Sequence, residues 1–337
     1  PLLSIIFKLH MSNSILTKKI LHWYDNNKRL LPWRKKNSQT KSEYYTLVSE
    51  FMLQQTQVAT VIPYFNNFIK NIPNLKSLAK IREKKLIKYW EGLGYYSRVK
   101  NLKKTAQIVE KNFEGRLPRK IDELKLLPGI GDYTASAIMA IAFNEPFVPL
   151  DGNIERVIKR LLNLKLVNEI SKENILKKKK ILGTSKRASD YAQALMELGA
   201  LICKPKNPLC IQCPITKNCK SYKNDDFEII KNKKKTINKF YLVKVYKKNG
   251  RFLLIKNTKF NFLKNLKIFP MQEISKLNNL NEVLNFKMSN MNMSVIVKFA
   301  RIKEDIPNSS WIDSSKLNKY TLPTFTRKIF KYLDQYK

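Results

Sequence analysis

The four cysteines of the chain all lie between residues 203 and 219, and this cluster constrains the fold more than any other feature of the sequence. Cys203, Cys210, Cys213 and Cys219 are separated by six, two and five residues. Four thiolates in one compact loop can wrap a single metal centre, and thiolate ligands suit either zinc or an iron–sulfur cluster. A reducing cytosol favours such a cofactor site over disulfide bonds. The spacing therefore predicts a metal site in this loop and leaves the choice of metal open.

The charge balance favours a polyanionic partner such as nucleic acid. The chain has 65 Lys and Arg residues against 26 acidic residues, a formal net charge of +39. Part of this charge can instead reflect mutational drift, because the abundant residues Lys, Asn and Ile are those that A+T-rich codons specify. There are only two histidines, His10 and His22, so histidine-based catalysis is not expected. The sequence also lacks the glycine-rich phosphate loop of P-loop proteins.

The beginning of the chain predicts no membrane segment. The apolar stretch 1–7 is too short to span a bilayer, and no small-residue cleavage site follows it. Residues 1–14 are interpreted as a non-functional N-terminal extension, because the first helical pattern begins near Ile15. We expect a bacterial protein of the cytoplasm that acts at the nucleoid as a monomer, without a membrane partner.

The first and larger predicted domain, residues 15–222, is all-α. Its apolar residues recur at helical spacing between short Pro- or Gly-containing joints. The clearest helical segments are Tyr45–Ile62, Ile121–Leu127, Tyr133–Phe143 and Ile154–Leu164.

A second, small α+β domain is predicted over residues 240–337, after an exposed Lys/Asn-rich linker at 223–239. The segments Phe240–Tyr246, Arg251–Ile255 and Met293–Phe299 have the composition or alternation of strands. Lys-Lys-Asn-Gly stands between the first two, and Asn-Gly in such a place is a hairpin signal.

The segment Leu127–Gly131, with the sequence Leu-Pro-Gly-Ile-Gly, joins two predicted helices. Gly129 and Gly131 permit a tight turn in which the backbone N–H groups around Ile130, together with the next helix N-terminus, point at one anion. Such a turn binds a phosphate without reading base sequence. The alternative is an ordinary helix–helix turn.

Two carboxylates stand out. Glu50, within Ser49–Gln57, is predicted to lie in a helix and to share a face with Leu47 and Leu53. Apolar neighbours raise the pKa of a carboxylic acid, as a general acid at neutral pH requires. The alternative is that Glu50 is a solvated charge on the surface of the helix. Asp151 lies at the entry of a later helix, where an Asp is a normal N-cap.

Six motifs in this order resemble the A/G-specific adenine DNA glycosylases of the helix-hairpin-helix, endonuclease III superfamily. They are WYDNNKRLLPWR (23–34), SEFMLQQTQVATVIPYF (49–65), WEGLGYYSR (90–98), LPGIGDYTASAI (127–138), LDGN (150–153) and QALMELGALIC (193–203), followed by the cysteine loop. The resemblance implies a mainly α helix-hairpin-helix glycosylase domain with a [4Fe-4S] loop on the four cysteines, and a small Nudix-like α+β domain. It implies the excision of adenine mispaired with 8-oxoguanine or guanine in double-stranded DNA.

The resemblance also implies roles for the two carboxylates and a tyrosine. Glu50 would protonate the imidazole ring of adenine, and Asp151 would face the deoxyribose, either stabilising its positive charge or trapping it covalently. Strand-cleaving members of the superfamily have a lysine where this chain has Tyr133. Because a phenol cannot form a Schiff base, base removal without efficient β-elimination is expected.

The remaining implied roles concern DNA. Trp33, Arg34 and Glu197 would line the pocket for the extruded adenine. Gln55, Thr56, Leu93 and Tyr95 would occupy the gap in the duplex and read the opposite guanine. Between Trp33 and Glu50 the chain is a few residues longer than the family pattern.

The second domain lacks the acidic box of Nudix hydrolases. Met288–Ser289–Asn290 aligns with the Phe-Ser-His by which the family senses oxidised guanine, so Ser289 keeps a predicted contact while the histidine is lost. Two other interpretations remain: a bifunctional endonuclease III-type glycosylase, which Tyr133 and the second domain disfavour, and a degenerate DNA-binding protein, against which Glu50 and Asp151 argue.

Overall fold

The computed structural model describes residues 2–35, 38–166, 169–228, 236–275, 283–288, 290–302 and 305–335, with side chains from Ile15 onward. The chain divides into two compact units. The helical unit comprises Pro1–Ile81 and Lys100–Lys231, and the sheet unit comprises Arg82–Val99 and Asn232–Lys337. Residues 82–99, which the sequence analysis assigned to the helical domain, thus group with the C-terminal part of the chain. Within the described residues, no helix is both long and apolar enough for a membrane crossing.

The helical unit is built from successive helices and contains no strand among its described residues. They are α1 (Leu2–Asn27), α2 (Gln39–Leu53), α3 (Val58–Asn71), α4 (Leu75–Lys80), most of α6 (Ser97–Asn112), α7 (Ile121–Lys125), α8 (Asp132–Phe143), α9 (Gly152–Leu162), α10 (Lys172–Lys178), α11 (Ala188–Glu197) and α12 (Lys220–Lys223). Helix α1 begins at Leu2, so its backbone runs through the residues interpreted as an extension.

One core of this unit forms around α9. Ile154, Val157, Ile158 and Leu161 recur at the spacing that puts them on one face of the helix, and all four are buried. They belong to one hydrophobic cluster with residues of α1 and α11, such as Tyr24 and Leu195. Helix α2 packs instead against α8. Both α9 and α2 are therefore held in place by neighbouring helices of the unit.

The helix predicted over Tyr45–Ile62 is two helices, which corrects the sequence analysis. Helix α2 ends at Leu53 and α3 begins at Val58, so the predicted continuous helix through Gln57 is wrong. Gln55 has φ 59°, in the left-handed region, where a right-handed helix cannot continue. The residues between the two helices, 54–57, are all polar but include no Gly or Pro, so no strong stop signal marks this break.

Among its described residues, the sheet unit contains two four-stranded sheets, helix α5 (Glu83–Tyr89) and helix α13 (Thr324–Asp334). Its strands are β1 (Ile237–Val245), β2 (Lys247–Lys248), β3 (Arg251–Lys256), β4 (Lys267–Ile268), β5 (Met271–Ile274), β6 (Val283–Met288), β7 (Met291–Phe299) and β8 (Ser309–Asp313). One sheet has the order β5-β1-β7-β6, with β1 and β7 parallel. In the other, β2, β4 and β8 all pair with β3.

The predicted hairpin exists, but its first arm is not the strand that the sequence indicated. Asn249 (φ 48°) and Gly250 (φ 71°) form the turn, and Lys248 pairs with Arg251 across it. Positive φ at both central residues is the requirement of a type I′ turn. The arm is the two-residue β2, whereas β1 lies in the other sheet because the chain changes sheets at Tyr246.

Candidate active site

A pocket of about 940 Å³ opens in the helical unit. This volume lies in the usual range of small-molecule pockets, roughly 300–1,000 Å³. Seven residues singled out from the sequence line it: Trp33, Arg34, Glu50, Gln55, Thr56, Tyr133 and Asp151. Residues far apart in the chain therefore converge on one cavity.

Glu50 lies in the buried middle of α2 and is only 4% exposed. Burial raises the pKa of its carboxyl to about 7, against a smaller opposing effect of a hydrogen bond from Tyr133. The negative charge of Asp151 raises the pKa further, and Arg34 lowers it. The Oε2 atom of Glu50 is buried without a hydrogen-bond partner in the described part of the chain. This carboxyl can therefore hold a proton near neutral pH and has a free oxygen.

Tyr133 lies in the first turn of α8, and its phenol hydrogen-bonds to Glu50. Burial raises the pKa of the phenol well above its usual range, and the charges of Glu50 and Asp151 act in the same direction. Tyr133 therefore stays protonated and can only donate to the carboxylate.

Asp151 is the N-cap of α9. Its Oδ1 atom accepts from the backbone N–H of Ile154 at 2.7 Å, and its Oδ2 atom accepts from the Asn153 side chain at 2.8 Å. Burial nevertheless raises the pKa of the carboxyl, although these hydrogen bonds oppose it. The cap role expected for an Asp before a helix thus coexists with a place in the pocket beside Glu50.

Trp33 and Arg34 lie in a short 3-10 turn, Pro32–Arg34, at the edge of the pocket. The ring of Trp33 packs edge-on against Phe65, with 5.3 Å between ring centroids. Glu197 departs from the expectation, since it does not line the pocket. Its carboxylate is fully buried and accepts from Arg34 Nη1 and, at 3.2 Å each, from the backbone N–H and Nε of Arg29. Glu197 therefore fixes two arginines that line the pocket, Arg29 and Arg34, without lining the pocket itself.

Several lining residues were missed by the sequence analysis, among them Arg156, Gln193, Met196, Ala200 and Pro205. Gln193 and Ala200 lie four residues before and three residues after Glu197, which are helical neighbours of that position. A helical projection centred on Glu197 could have found them. Arg156 lies five residues after Asp151 in the chain, but nothing in the sequence distinguishes it from other basic residues.

The turn Leu127–Gly131 leads into α8. Gly129 has φ 82°, and a Cβ atom there would lie 2.9 Å from both Phe51 and Asn101, so only glycine fits. A Cβ atom at Gly131 would meet nothing within 4 Å, which leaves open space at the N-terminus of α8. The side chain of Ile130 is buried and anchors the turn.

The cysteine loop follows a single turn of π-helix, Leu198–Ile202. All four cysteines are free thiols of intermediate burial. The thiols interact electrostatically, since the charges of Cys203 and Cys219 raise the pKa of Cys210 beyond the effect of burial. In the part of the chain that the structure describes, no three His, Cys, Asp or Glu side chains are grouped as a site for a metal ion.

Two arginines of α9 hold this loop. Arg156 donates from Nε to the carbonyl of Cys203 at 2.7 Å and from Nη2 to Asn153 Oδ1 at 2.8 Å. Arg160 is almost fully buried, and its Nη1 atom contacts Cys203 Sγ at 3.4 Å. The helix that carries Asp151 at its N-terminus thus also fixes the start of the cysteine loop.

The residues predicted to read the opposite base fall in both units. Gln55, which is exposed, and Thr56 lie in the joint between α2 and α3. Leu93 and Tyr95 lie in the sheet unit, where Leu93 is buried and Tyr95 is 47% exposed. Leu93 is only 6% exposed, so its side chain does not project from the surface as an intercalating residue would. Ser289 lies outside the described residues.

The sequence of the chain is similar to proteins of known function. Residues 48–181 match the HhH-GPD superfamily of base excision DNA repair proteins. The adenine DNA glycosylase of Buchnera aphidicola subsp. Baizongia pistaciae is 34% identical over 353 residues, covering 97% of this chain and 99% of that protein. The human adenine DNA glycosylase is 40% identical over 209 residues, covering 60% of this chain and 38% of the human protein.

Two solved structures share the helical fold. A thermostable thymine-DNA glycosylase has a TM-score of 0.56 and 26% sequence identity, covering 64% of this chain and 98% of that chain. Endonuclease III in a non-covalent DNA complex has a TM-score of 0.51 and 21% identity, covering 62% and 94%. The resemblance and fold class expected from the sequence are thereby confirmed. Because the alignment with the Buchnera protein spans nearly all of both chains, this chain belongs to the adenine DNA glycosylase family of HhH-GPD base excision DNA repair proteins.

Proposed function

We propose that this enzyme hydrolyses the N-glycosidic bond of adenine mispaired with 8-oxoguanine or guanine in double-stranded DNA, without cleaving the strand. Family membership supports adenine excision from DNA, and the mispaired base is our proposal. The observation that carries the chemistry is the buried Glu50 carboxyl, with a pKa of about 7 and a free Oε2 atom.

The reaction begins with a proton on Glu50. Adenine is a poor leaving group until its imidazole-ring nitrogen is protonated, and a carboxylic acid that is half neutral at pH 7 can supply that proton. The bond between this base and C1′ of the deoxyribose then breaks, and its electron pair leaves with adenine. Tyr133, which donates to Glu50, stabilises the carboxylate that remains.

Asp151 acts on the sugar. The departing base leaves an oxocarbenium-like positive charge at C1′, which a carboxylate stabilises electrostatically or traps as a covalent ester before water completes the reaction. Asn153 and the backbone of Ile154 fix the orientation of this carboxylate. Both routes end with a hydroxyl group from water on C1′ and free adenine, and the proton that water loses restores the acid form of Glu50. They differ only in whether Asp151 forms a bond.

The pocket wall selects the base. Trp33 offers a flat face for stacking, and the Nε atom of Arg34 is buried without a hydrogen-bond partner among the described residues. An extruded adenine has acceptor nitrogens that such a donor recognises. Glu197 contributes by holding Arg34 in place.

DNA would be held by the turn at Gly129–Gly131 and by the opposite-base residues. The open space at Gly131 and the N-terminus of α8 suit a backbone phosphate. Gln55, Thr56 and Tyr95 would face the mispaired base. Ser289 would contact oxidised guanine, with weaker discrimination in the absence of a following histidine.

The cysteine loop would hold a [4Fe-4S] cluster through Cys203, Cys210, Cys213 and Cys219. The donor set fits, because four free thiols stand in one loop and a neighbouring arginine donates to one of them. Each thiolate of such a cluster binds a different iron, so the thiols need not converge on one ion. A bound cluster would give the loop a rigid core, and this chain's own Arg156 and Arg160 connect that loop to α9.

One observation bears on the bifunctional alternative, in which a lysine amine attacks the sugar. The resemblance aligns Tyr133 with that lysine, and the residues that line the described pocket include no lysine. A base-removing enzyme without efficient strand cleavage is therefore favoured.

The test uses duplexes that contain adenine opposite 8-oxoguanine, adenine opposite guanine, or thymine glycol. We expect breaks at adenine that require alkali, and loss of excision with retained DNA binding in Glu50→Gln and Asp151→Asn. Glu155→Gln, which removes a surface carboxylate from α9, is the matched control and should remain active. Strand breaks without alkali or cleavage at thymine glycol would support the bifunctional enzyme, and no excision by the unaltered protein would support a binding module.

A further inference from the structure

The turn Trp90–Tyr96 in the sheet unit has an unusual backbone. Gly92, Gly94 and Tyr95 have φ values of 104°, 72° and 46°. Glycine adopts positive φ without strain, but a bulky aromatic residue does so rarely. Such a conformation persists only where the surrounding structure determines it more than once. The contacts that hold this turn therefore indicate which residues matter for it.

One set of contacts comes from Trp90 of the turn and from Arg98, in the first turn of α6. Trp90 donates from Nε1 to the carbonyl of Gly94 at 3.1 Å. Arg98 donates from Nη2 to the carbonyls of Leu93 and Gly94 at 3.0 Å and 3.2 Å, and its guanidinium lies 5.5 Å from the Tyr95 ring centroid. These contacts fix the backbone and leave about half of the Tyr95 side chain exposed.

The other set comes from the far end of the chain. Oε1 of Glu91, at the start of the turn, accepts hydrogen bonds from Nε of Arg327 at 3.0 Å, from Nη2 of the same arginine, and from the backbone N–H of Leu322 at 3.2 Å. Arg327 Nη2 also donates to the carbonyl of Tyr320 at 3.2 Å. The guanidinium thus bridges the turn and the segment that leads into α13.

Helix α13 is a firm anchor for this contact. Phe325, Ile329 and Phe330 on its inner face are buried in the core of the sheet unit. The side chains of Glu91 and Arg327 are 17% and 34% exposed, so the pair is shielded in part from water. A partly buried, multiply bonded Arg–Glu pair constrains geometry more than a surface ion pair does.

We propose that Arg327 is a positioning residue for mispair recognition, acting through Glu91 to preset the turn that presents Tyr95 to the DNA strand opposite the target adenine. This inference rests on the proposed function. It assigns to the C-terminal helix a part in reading the mispair, apart from any direct contact of the sheet unit with the base. Because a preset turn lowers the ordering cost of binding, the effect falls on affinity for the mispair and not on bond cleavage.

The experiment measures binding and chemistry separately. Affinity is measured for duplexes in which 2′-fluoro-2′-deoxyadenosine, which resists excision, stands opposite 8-oxoguanine, guanine or thymine. The excision rate is measured in single turnovers at saturating enzyme on ordinary adenine. The proteins are the full chain and its variants Arg327→Ala, Arg327→Lys, Glu91→Ala and the double alanine variant, each checked by thermal unfolding.

We expect Arg327→Ala to weaken binding of the 8-oxoguanine duplex by roughly two- to thirtyfold and to change the thymine duplex less, with a single-turnover rate within about twofold of the unaltered enzyme. Arg327→Lys should retain part of the affinity. The double alanine variant should bind the 8-oxoguanine duplex no more weakly than either single alanine variant, because the two residues act as one pair. Arg187→Ala, which breaks an Arg–Asp network in the helical unit, is the matched control and should leave mispair affinity unchanged.

The proposal is overturned by unchanged affinity in Arg327→Ala, by additive losses in the double variant, by equal losses on all three duplexes, or by a loss confined to the single-turnover rate. Failure of the unaltered protein to excise adenine would instead refute the proposed function, and the two failures are therefore distinguishable.

Discussion

Tyr133 hydrogen-bonds through its phenol to the carboxyl of Glu50, and the pair lies between α8 and α2 at the wall of the pocket. A second buried carboxylate in α2, Glu43, is satisfied differently: it accepts from Arg116 Nη2 at 2.6 Å and from the backbone N–H of Leu117 at 3.0 Å. Glu43 is saturated and structural, whereas Glu50 keeps one oxygen free. Both carboxyls are buried, so it is the difference in hydrogen-bond partners that distinguishes the reactive Glu50 from the structural Glu43.

The first prediction concerns the pH dependence of excision. Because the pKa of Glu50 is raised to about 7, its acid form is lost above that pH, and the single-turnover rate should fall about tenfold per pH unit on the alkaline side. Tyr133→Phe removes a hydrogen bond that lowers this pKa, so the alkaline limb should move to higher pH. A rate profile from pH 5 to 10 measures both. An unmoved limb in the phenylalanine variant would show that the phenol does not act on Glu50.

The second prediction concerns stability. Between pH 4.5 and 7 folded Glu50 retains a proton that the unfolded chain releases, so the free energy of unfolding falls as pH rises through this window. The pKa difference corresponds to about 3 kcal/mol. Glu50→Gln cannot ionise, and therefore it should be more stable than the unaltered protein at pH 8, by up to about 3 kcal/mol, with little gain at pH 5. Denaturant unfolding at both values measures this.

Glu43→Gln provides the opposite control for that experiment. It removes a charge that is paired with Arg116, so it should destabilise the protein at pH 8 by about 1–3 kcal/mol. If Glu50→Gln and Glu43→Gln lower the free energy of unfolding equally at pH 8, burial of the ionised Glu50 carboxylate does not destabilise the protein.

The third prediction separates the two roles of Asp151. Asparagine is as good an N-cap as aspartate, so Asp151→Asn should change the free energy of unfolding by less than about 1 kcal/mol. Asp151→Ala loses the bond to the Ile154 N–H and should cost about 0.5–2 kcal/mol. Excision should fall by more than about a thousandfold in both, since neither supplies the negative charge. Retained excision in Asp151→Asn would reduce this residue to a cap.

Much of the site could be predicted from the sequence because local patterns fixed its parts. The turn at Gly129 follows from its glycine and proline, and the cap at Asp151 follows from its place before a helix. The break at Gln55 could not be predicted, since the polar residues 54–57 include no Gly or Pro and a glutamine rarely adopts a positive φ. Glu197 also carries no local signal for its position behind the pocket wall, because that position depends on arginines more than 160 residues away.

The sheet unit was less predictable for a related reason. Strand composition gave β1, β3 and β7, but the division of β1 and β3 between two sheets depends on pairing with strands far along the chain. The grouping of residues 82–99 with the C-terminal part likewise depends on tertiary contacts such as that of Glu91 with Arg327.

The fourth prediction concerns Arg160 and the cysteine loop. The guanidinium of Arg160 donates to the carbonyls of Lys204 at 2.6 Å, Pro205 at 3.0 Å and Phe227 at 3.2 Å, and it contacts Cys203 Sγ. One side chain thus satisfies acceptors directly after the first cysteine and beyond the last one. Lysine has neither the planar fork nor enough donors in that geometry, so Arg160→Lys should leave buried carbonyls unpaired and loosen the loop.

We expect Arg160→Lys to be purified with less iron than the unaltered protein, which should contain about four irons per chain if all four thiolates bind a [4Fe-4S] cluster. Cys213→Ser should lose most of the iron, because a ligand is removed. Lys206→Gln, an exposed change in the same loop, is the control and should keep the full content. Iron and acid-labile sulfide analysis measures the content, and zinc in place of iron would overturn the cluster assignment. Full iron content in Arg160→Lys would show that the loop needs no support from α9, since the cluster alone would then be sufficient to order it.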